Sequence, residues 1–129
     1  MRAPVDHVRI STKAKEIMIR VKKRTGLEHW NEICRIAYCR SLANPTLPTM
    51  TLSNGNIAID IEWKTFVGPF QNEIIATTLI RAAKDKIDLK NKEAVANYFR
   101  AHLERGIASL QNIRSLSELA MANEQKSDR

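Results

Sequence analysis

A chain of 129 residues with 43% apolar and 27% charged side chains has the composition of one globular domain, and with aromatics at only 5% its core must rest on Ile, Leu, Val, Ala and Met. No apolar run approaches the roughly 20 residues that span a bilayer, and no apolar stretch follows the N-terminal charge, so neither a membrane span nor an export signal is expected and the cytoplasm is the expected compartment. The net charge of +7 is unevenly held: residues 1–40 carry ten Lys/Arg against four Asp/Glu, whereas residues 41–129 carry eleven against ten.

Residues 1–8 read as a short arm containing Pro4. Ser11 and Thr12 are good N-cap types, and Ile10, Ala14, Ile17, Met18 and Val21 then recur at helical spacing. Gly26 is a natural stop, preceded by Lys22, Lys23 and Arg24, where cations suit the negative end of the helix dipole. A second helix is expected over residues 28–43, with Trp30, Ile33, Cys34, Ala37 and Leu42 facing inward. Asn44-Pro45 ends it, because the residue before proline is pushed out of the helical region. So short a connection predicts a tight helical hairpin or angled pair.

The period then changes. Met50 and Leu52, followed by Asn54-Gly55 and by Ile57, Ile59, Ile61 and Trp63, alternate with polar or small residues and predict a β-hairpin near 50–63. Such a hairpin is marginal alone and needs cover from the helices or from another copy of the chain. After Gly68-Pro69 a third helix is expected over 70–84 (Ile74, Ile75, Thr78, Leu79, Ala82). A fourth starts near Asn91 with Val95, Tyr98, Phe99 and Leu103, and its rhythm continues past Gly106 through Ile107, Leu110 and Ile113. One more turn fits 115–121, and residues 123–129 form a polar tail. The expected fold is therefore mainly α: a compact helical domain of four to five helices over residues 1–122, with one short β-hairpin.

The first helix is the strongest functional candidate. At 100° per residue Lys13, Arg20 and Arg24 fall on one line beside the apolar face, and Lys15 and Lys22 form a second line on its far flank. Lys23 and Arg9 fill in between the first line and the solvent side, and Glu16 is the helix's only acid. Several long cations on one rigid element are what contact with successive phosphates requires, so Lys13, Lys15, Arg20, Lys22, Lys23 and Arg24 are the expected DNA-binding residues. No base-reading pattern accompanies them. A membrane-surface helix would carry bulky Trp or Phe on its apolar face, which this one lacks.

Other constellations are weaker. Asp60, Glu62 and Lys64 resemble half of a metal-dependent nuclease motif, the basis of an alternative reading as a nicking endonuclease, but no Asp or Glu lies between Glu32 and Asp60 to complete it. His7, His29 and His102 are dispersed, no glycine-rich phosphate loop is present, and no nucleophile is placed with a base. No cofactor, metal site or catalytic set is expected. Cys34 and Cys39 sit five apart, which suits neither a redox pair nor a metal clip, and both read as buried structural thiols. A second alternative is an adaptor whose basic helix docks an acidic protein.

Several stretches resemble the DndE family of the bacterial DNA phosphorothioation system. They are Arg9-Ile10-Ser11, Lys22-Lys23-Arg24-Thr25-Gly26, Trp30-Asn31, Cys34-Arg35 with Ala37, Cys39 with Ser41-Leu42-Ala43, Pro45 and Pro48, and His102-Leu103-Glu104-Arg105-Gly106-Ile107 to Leu110. Together they cover about half the chain. The resemblance implies a non-catalytic protein without a cofactor that binds double-stranded DNA, with a preference for nicked duplex. It also implies a homo-oligomer, a tetramer, working beside DndC-like and DndD-like proteins and a cysteine desulfurase that replace a non-bridging phosphate oxygen by sulfur. Carried onto this sequence, the DNA-binding role falls on Lys22, Lys23 and Arg24.

Overall fold

The computed structural model describes residues 2–50 and 55–120. Strand β1, His7–Ser11, leads directly into helix α1, Thr12–Thr25, and α2 follows at Trp30–Ala43. Strand β2, Ile57–Glu62, passes without a break into the short α3, Trp63–Val67. A 3₁₀ turn at Gly68–Phe70 joins it to α4, Gln71–Lys84, and α5 spans Lys92–Ala108. A further helical turn starts at Leu116, where the Ser115 Oγ accepts from the Glu118 amide. The mainly helical class is as expected, with α3 added at the point where Trp63 had been placed on a strand.

The two-stranded antiparallel element is present, and its partner strand comes from elsewhere in the sequence. β2 pairs with the N-terminal arm, with His7 opposite Glu62, Val8 opposite Ile61, Arg9 opposite Asp60 and Ile10 opposite Ile59. The register shifts between Ile10 and Ser11, which faces Ile57 and leaves Ala58 over as a bulge. Part of the expected local hairpin, residues 51–54, lies outside the described residues. The arm forms a strand because Val8 and Ile10 bury while His7 and Arg9 face out, a period of two in a stretch too short to show it in the sequence. Ile10, read as a helix residue, belongs to this strand. Across the outer face, Asp60 accepts from the His7 Nδ1 at 2.8 Å and meets the Arg9 Nε at 3.6 Å.

The core lies where α2 crosses α5. Tyr38, Trp63, Phe66 and Phe99 cluster there, with the Tyr38 and Phe99 rings 4.7 Å apart, so the few aromatics are concentrated at the centre. The Tyr38 hydroxyl donates to the Thr78 Oγ1 at 2.6 Å, and Thr78 donates onward to the Ile74 carbonyl. Gly106 lets the two helices approach: a Cβ there would stand 2.0 Å from the Ala37 carbonyl oxygen. The helical rhythm therefore runs through this glycine because the crossing requires its missing side chain.

Candidate nucleic-acid interface

Helix α1 is fixed at both ends by its own sequence. Ser11 caps it, its Oγ accepting from the Ala14 amide at 3.2 Å, and the Thr12 amide donates to the Asn56 carbonyl at 3.0 Å. Gly26, at φ 79°, closes the far end by donating to the Lys22 carbonyl. Ile17, Met18 and Val21 are buried, which fixes the face the helix turns outward.

Around the rest of the helix Lys13, Arg20, Lys23 and Arg24 are exposed, while Lys15 and Lys22, on the opposite flank of the buried stripe from the Lys13–Arg20–Arg24 line, are half-buried. Among the described residues no ion pair joins any of these six cations to a carboxylate. From Lys13 to Arg24 the axis covers about 17 Å, over which duplex DNA presents roughly ten phosphate charges. Two of the six have a second contact. The Lys22 ammonium lies 4.1 Å above the ring of Trp30, and the Arg24 guanidinium donates to the Ile113 carbonyl at 3.3 Å. All six sequence-predicted residues thus share one helix, and Arg24 is also tied to the segment that follows α5.

Not every cation of the basic first third belongs to this helix surface. Arg35 donates to the Phe66 carbonyl at 2.9 Å, and the buried Arg40 donates to the Ser109 Oγ and to the Leu119 carbonyl. Arg81 and Arg105, from later in the chain, do the same for the end of α2. Arg81 donates to the carbonyls of Leu42 and Thr46. Arg105 donates to the Ser41 carbonyl and Oγ and to the Thr46 carbonyl, each at 2.8 Å. These four arginines are structural donors. Sequence reading missed that role because their acceptors are carbonyls 31 to 79 residues away.

The remaining candidates are placed as follows. Asp60 is held by His7 and Arg9, Glu62 and Lys64 are exposed, and no group of three His, Cys, Asp or Glu side chains among the described residues could hold a metal ion. Cys34 is buried, and burial pushes its thiol up to about 12. Cys39 is exposed, which corrects the expectation that both thiols are buried: it lies 140° round α2 from Cys34, on the side facing solvent. Partial desolvation still raises its thiol above the ordinary value, so neither cysteine is poised as a thiolate. His102 is fully buried with its Nδ1 2.8 Å from the Ser41 Oγ. No helix of the described residues is long and apolar enough to cross a membrane.

Three comparisons with known proteins bear on this arrangement. The family model of the DNA sulphur modification protein DndE matches residues 7–118. Among solved structures, the chain is similar to DndE from Escherichia coli B7A, described as involved in DNA phosphorothioation modification, with a TM-score of 0.68 and 17% identity over 84% of this chain and 99% of that one. No curated protein matches the chain.

Proposed function

The chain belongs to the DndE family, which is involved in DNA phosphorothioation modification, and we propose that it is the family's non-catalytic DNA-binding component, contacting the duplex backbone through α1. Lys13, Lys15, Arg20, Lys22, Lys23 and Arg24 meet phosphates, while DndC-like and DndD-like partners carry out the sulfur chemistry. Nicked duplex is the preferred substrate, and the chain acts as a homo-oligomer, a tetramer, which multiplies the basic faces available to one DNA. The observation that supports this reading is the set of six cations on one helix without an ion-paired carboxylate among the described residues. Unpaired surface cations release condensed counterions when they meet phosphates, which is the driving force for backbone binding.

Fluorescence anisotropy on intact and singly nicked duplexes across a salt series tests it. Wild-type affinity should fall steeply with salt, and Lys22→Ala/Lys23→Ala/Arg24→Ala should flatten the slope by up to about 2.7, roughly 0.9 for each lost phosphate contact. A triple variant with the wild-type slope removes α1 from the interface. No affinity at low salt in the wild type turns the reading toward an adaptor that docks an acidic protein.

A further inference from the structure

The turn between α1 and α2 brings the first residue of α2, Trp30, back against the last turn of α1. There the Lys22 ammonium stands 4.1 Å above the indole ring, next in sequence to Lys23 and Arg24. Trp30 is half-buried, resting on the core while part of its surface stays at the basic end of the helix. The chain has two tryptophans, and the other, Trp63, is buried at 6% exposure among Phe66 and Phe99. An indole wanted only for packing has no need of a rim position beneath a cation. Phosphate-contacting cations also have no need of a flat aromatic surface among them. Together the two match what a nucleotide presents when its base has left the stack: a phosphate to be met by an ammonium and a π-face to be met by an aromatic ring.

We propose that Trp30 is a stacking platform for a nucleobase released from the duplex, and that it is the residue by which this protein distinguishes interrupted DNA from intact DNA. The inference rests on the DNA-binding reading of α1 and adds to it the chemistry of selection. An intact duplex keeps its bases stacked and offers α1 only phosphates. At a nick, a gap or a single strand, unstacking is least expensive, and a base can settle on the indole face while Lys22 moves from the ring to that nucleotide's phosphate. Exchanging a cation–π contact for base stacking plus an ion pair leaves neither the ring nor the ammonium without a partner.

The test compares wild type, Trp30→Phe and Trp30→Leu on four DNAs: intact duplex, the same duplex nicked, the same duplex with a one-nucleotide gap, and oligothymidine. The readout is the affinity for each interrupted or single-stranded DNA divided by that for the intact duplex, at one salt concentration. Trp30→Leu should lower this ratio roughly ten-fold, and Trp30→Phe, which keeps an aromatic face, should restore most of it. Wild-type tryptophan emission should be quenched by oligothymidine. The quench should be absent in Trp30→Phe, whose remaining tryptophan is buried. Comparison of the nicked, gapped and single-stranded arms shows which source of free base is used. An equal loss on all four DNAs makes Trp30 a support for Lys22 and overturns the proposal, as does an unchanged ratio in Trp30→Leu. Wild type without affinity for any of the four overturns the DNA-binding reading itself.

Discussion

Two sets of cations divide this molecule. On α1, Lys13, Arg20, Lys23 and Arg24 face solvent with no ion-paired carboxylate among the described residues. At the end of α2, Arg81 and Arg105 carry the same charge and use it inward, on the carbonyls of Ser41, Leu42 and Thr46. Four of the carbonyls that end any helix lack an intrahelical partner, and after α2 the chain turns at Asn44-Pro45, so those carbonyls need donors from elsewhere. A guanidinium supplies several donors from one fixed plane, which a lysine cannot do. The difference teaches that charge alone does not locate an interface. What decides is how far a cation's donors are already taken up by acceptors in its own chain: Arg81 and Arg105 each meet more than one, while Arg24, with a single bond to the Ile113 carbonyl, stands between the two sets.

The inner set belongs to the α2–α5 crossing, and the sharpest way to break that region is at Gly106. Glycine to alanine within a helix ordinarily gains about 1 kcal/mol in propensity. Here the added Cβ would stand 2.0 Å from the Ala37 carbonyl oxygen and 2.5 Å from its carbon, both backbone atoms of α2. The helices must separate, so Gly106→Ala should destabilise by about 4 kcal/mol or more, at the far end of single-substitution effects. Urea denaturation measures it, and a neutral or stabilising result would show that the crossing is looser than described.

Arg105→Ala comes next. It removes a guanidinium that donates to Ser41 and to Thr46 and leaves their carbonyls without this partner, an expected loss of roughly 3 kcal/mol. Arg105→Lys keeps the charge and loses the fork, so it should recover less than half of the loss. Full recovery by lysine would make the inner arginines point charges like those of α1 and dissolve the distinction between the two sets.

A smaller effect comes from His102. The Ser41 Oγ accepts from the Arg105 Nε at 2.8 Å and lies 2.8 Å from the His102 Nδ1, while the His102 Nε2 is buried without a hydrogen-bond partner among the described residues. Burial first, then the charges of Arg105 and Arg81, lowers the imidazole from 6.5 to about 4. A histidine depressed in the folded state contributes stability that is fully present above pH 6.5 and is lost as the pH falls toward 4. The loss between pH 7.5 and pH 5 should be about 2 kcal/mol. His102→Gln, whatever its stability at pH 7.5, should show less loss over that interval, and an equal loss in both proteins assigns the acid sensitivity elsewhere.

The sequence made the two sets unequally legible. Periodicity located α1, α2, α4 and α5, because each buries one stripe at helical spacing, and the same wheel placed all six α1 cations on one element. The partner of β2 was hidden, since pairing a strand with residues some fifty positions away leaves no local signal, whereas Asn54-Gly55 offers a local one. The structural roles of Arg35, Arg40, Arg81 and Arg105 left no signal, because backbone carbonyls have no letter in the sequence. Trp30 was placed facing inward by its spacing, and only the Lys22 contact shows that it also meets the basic surface.

Changes to the outer set should barely register in stability. Lys13 and Arg20 are exposed and without an ion-paired carboxylate among the described residues, so Lys13→Gln/Arg20→Gln should stay within about 0.5 kcal/mol of wild type in urea. The double variant should nevertheless lower the salt slope of DNA binding by about 1.8, at roughly 0.9 for each phosphate. A large stability loss would place the pair with the inner arginines, and an unchanged slope would move the DNA to another surface. Lys13 sharpens the test because it breaks a rule of helix stability. The first turn of α1 contains no acid, and Lys13 puts a cation at the positive end of the helix dipole, where it is unfavourable by a few tenths of a kcal/mol. Lys13→Gln alone should therefore raise stability slightly while weakening binding. A residue whose removal helps the fold and harms the complex is placed by its contact with phosphate, and no inner arginine should behave that way.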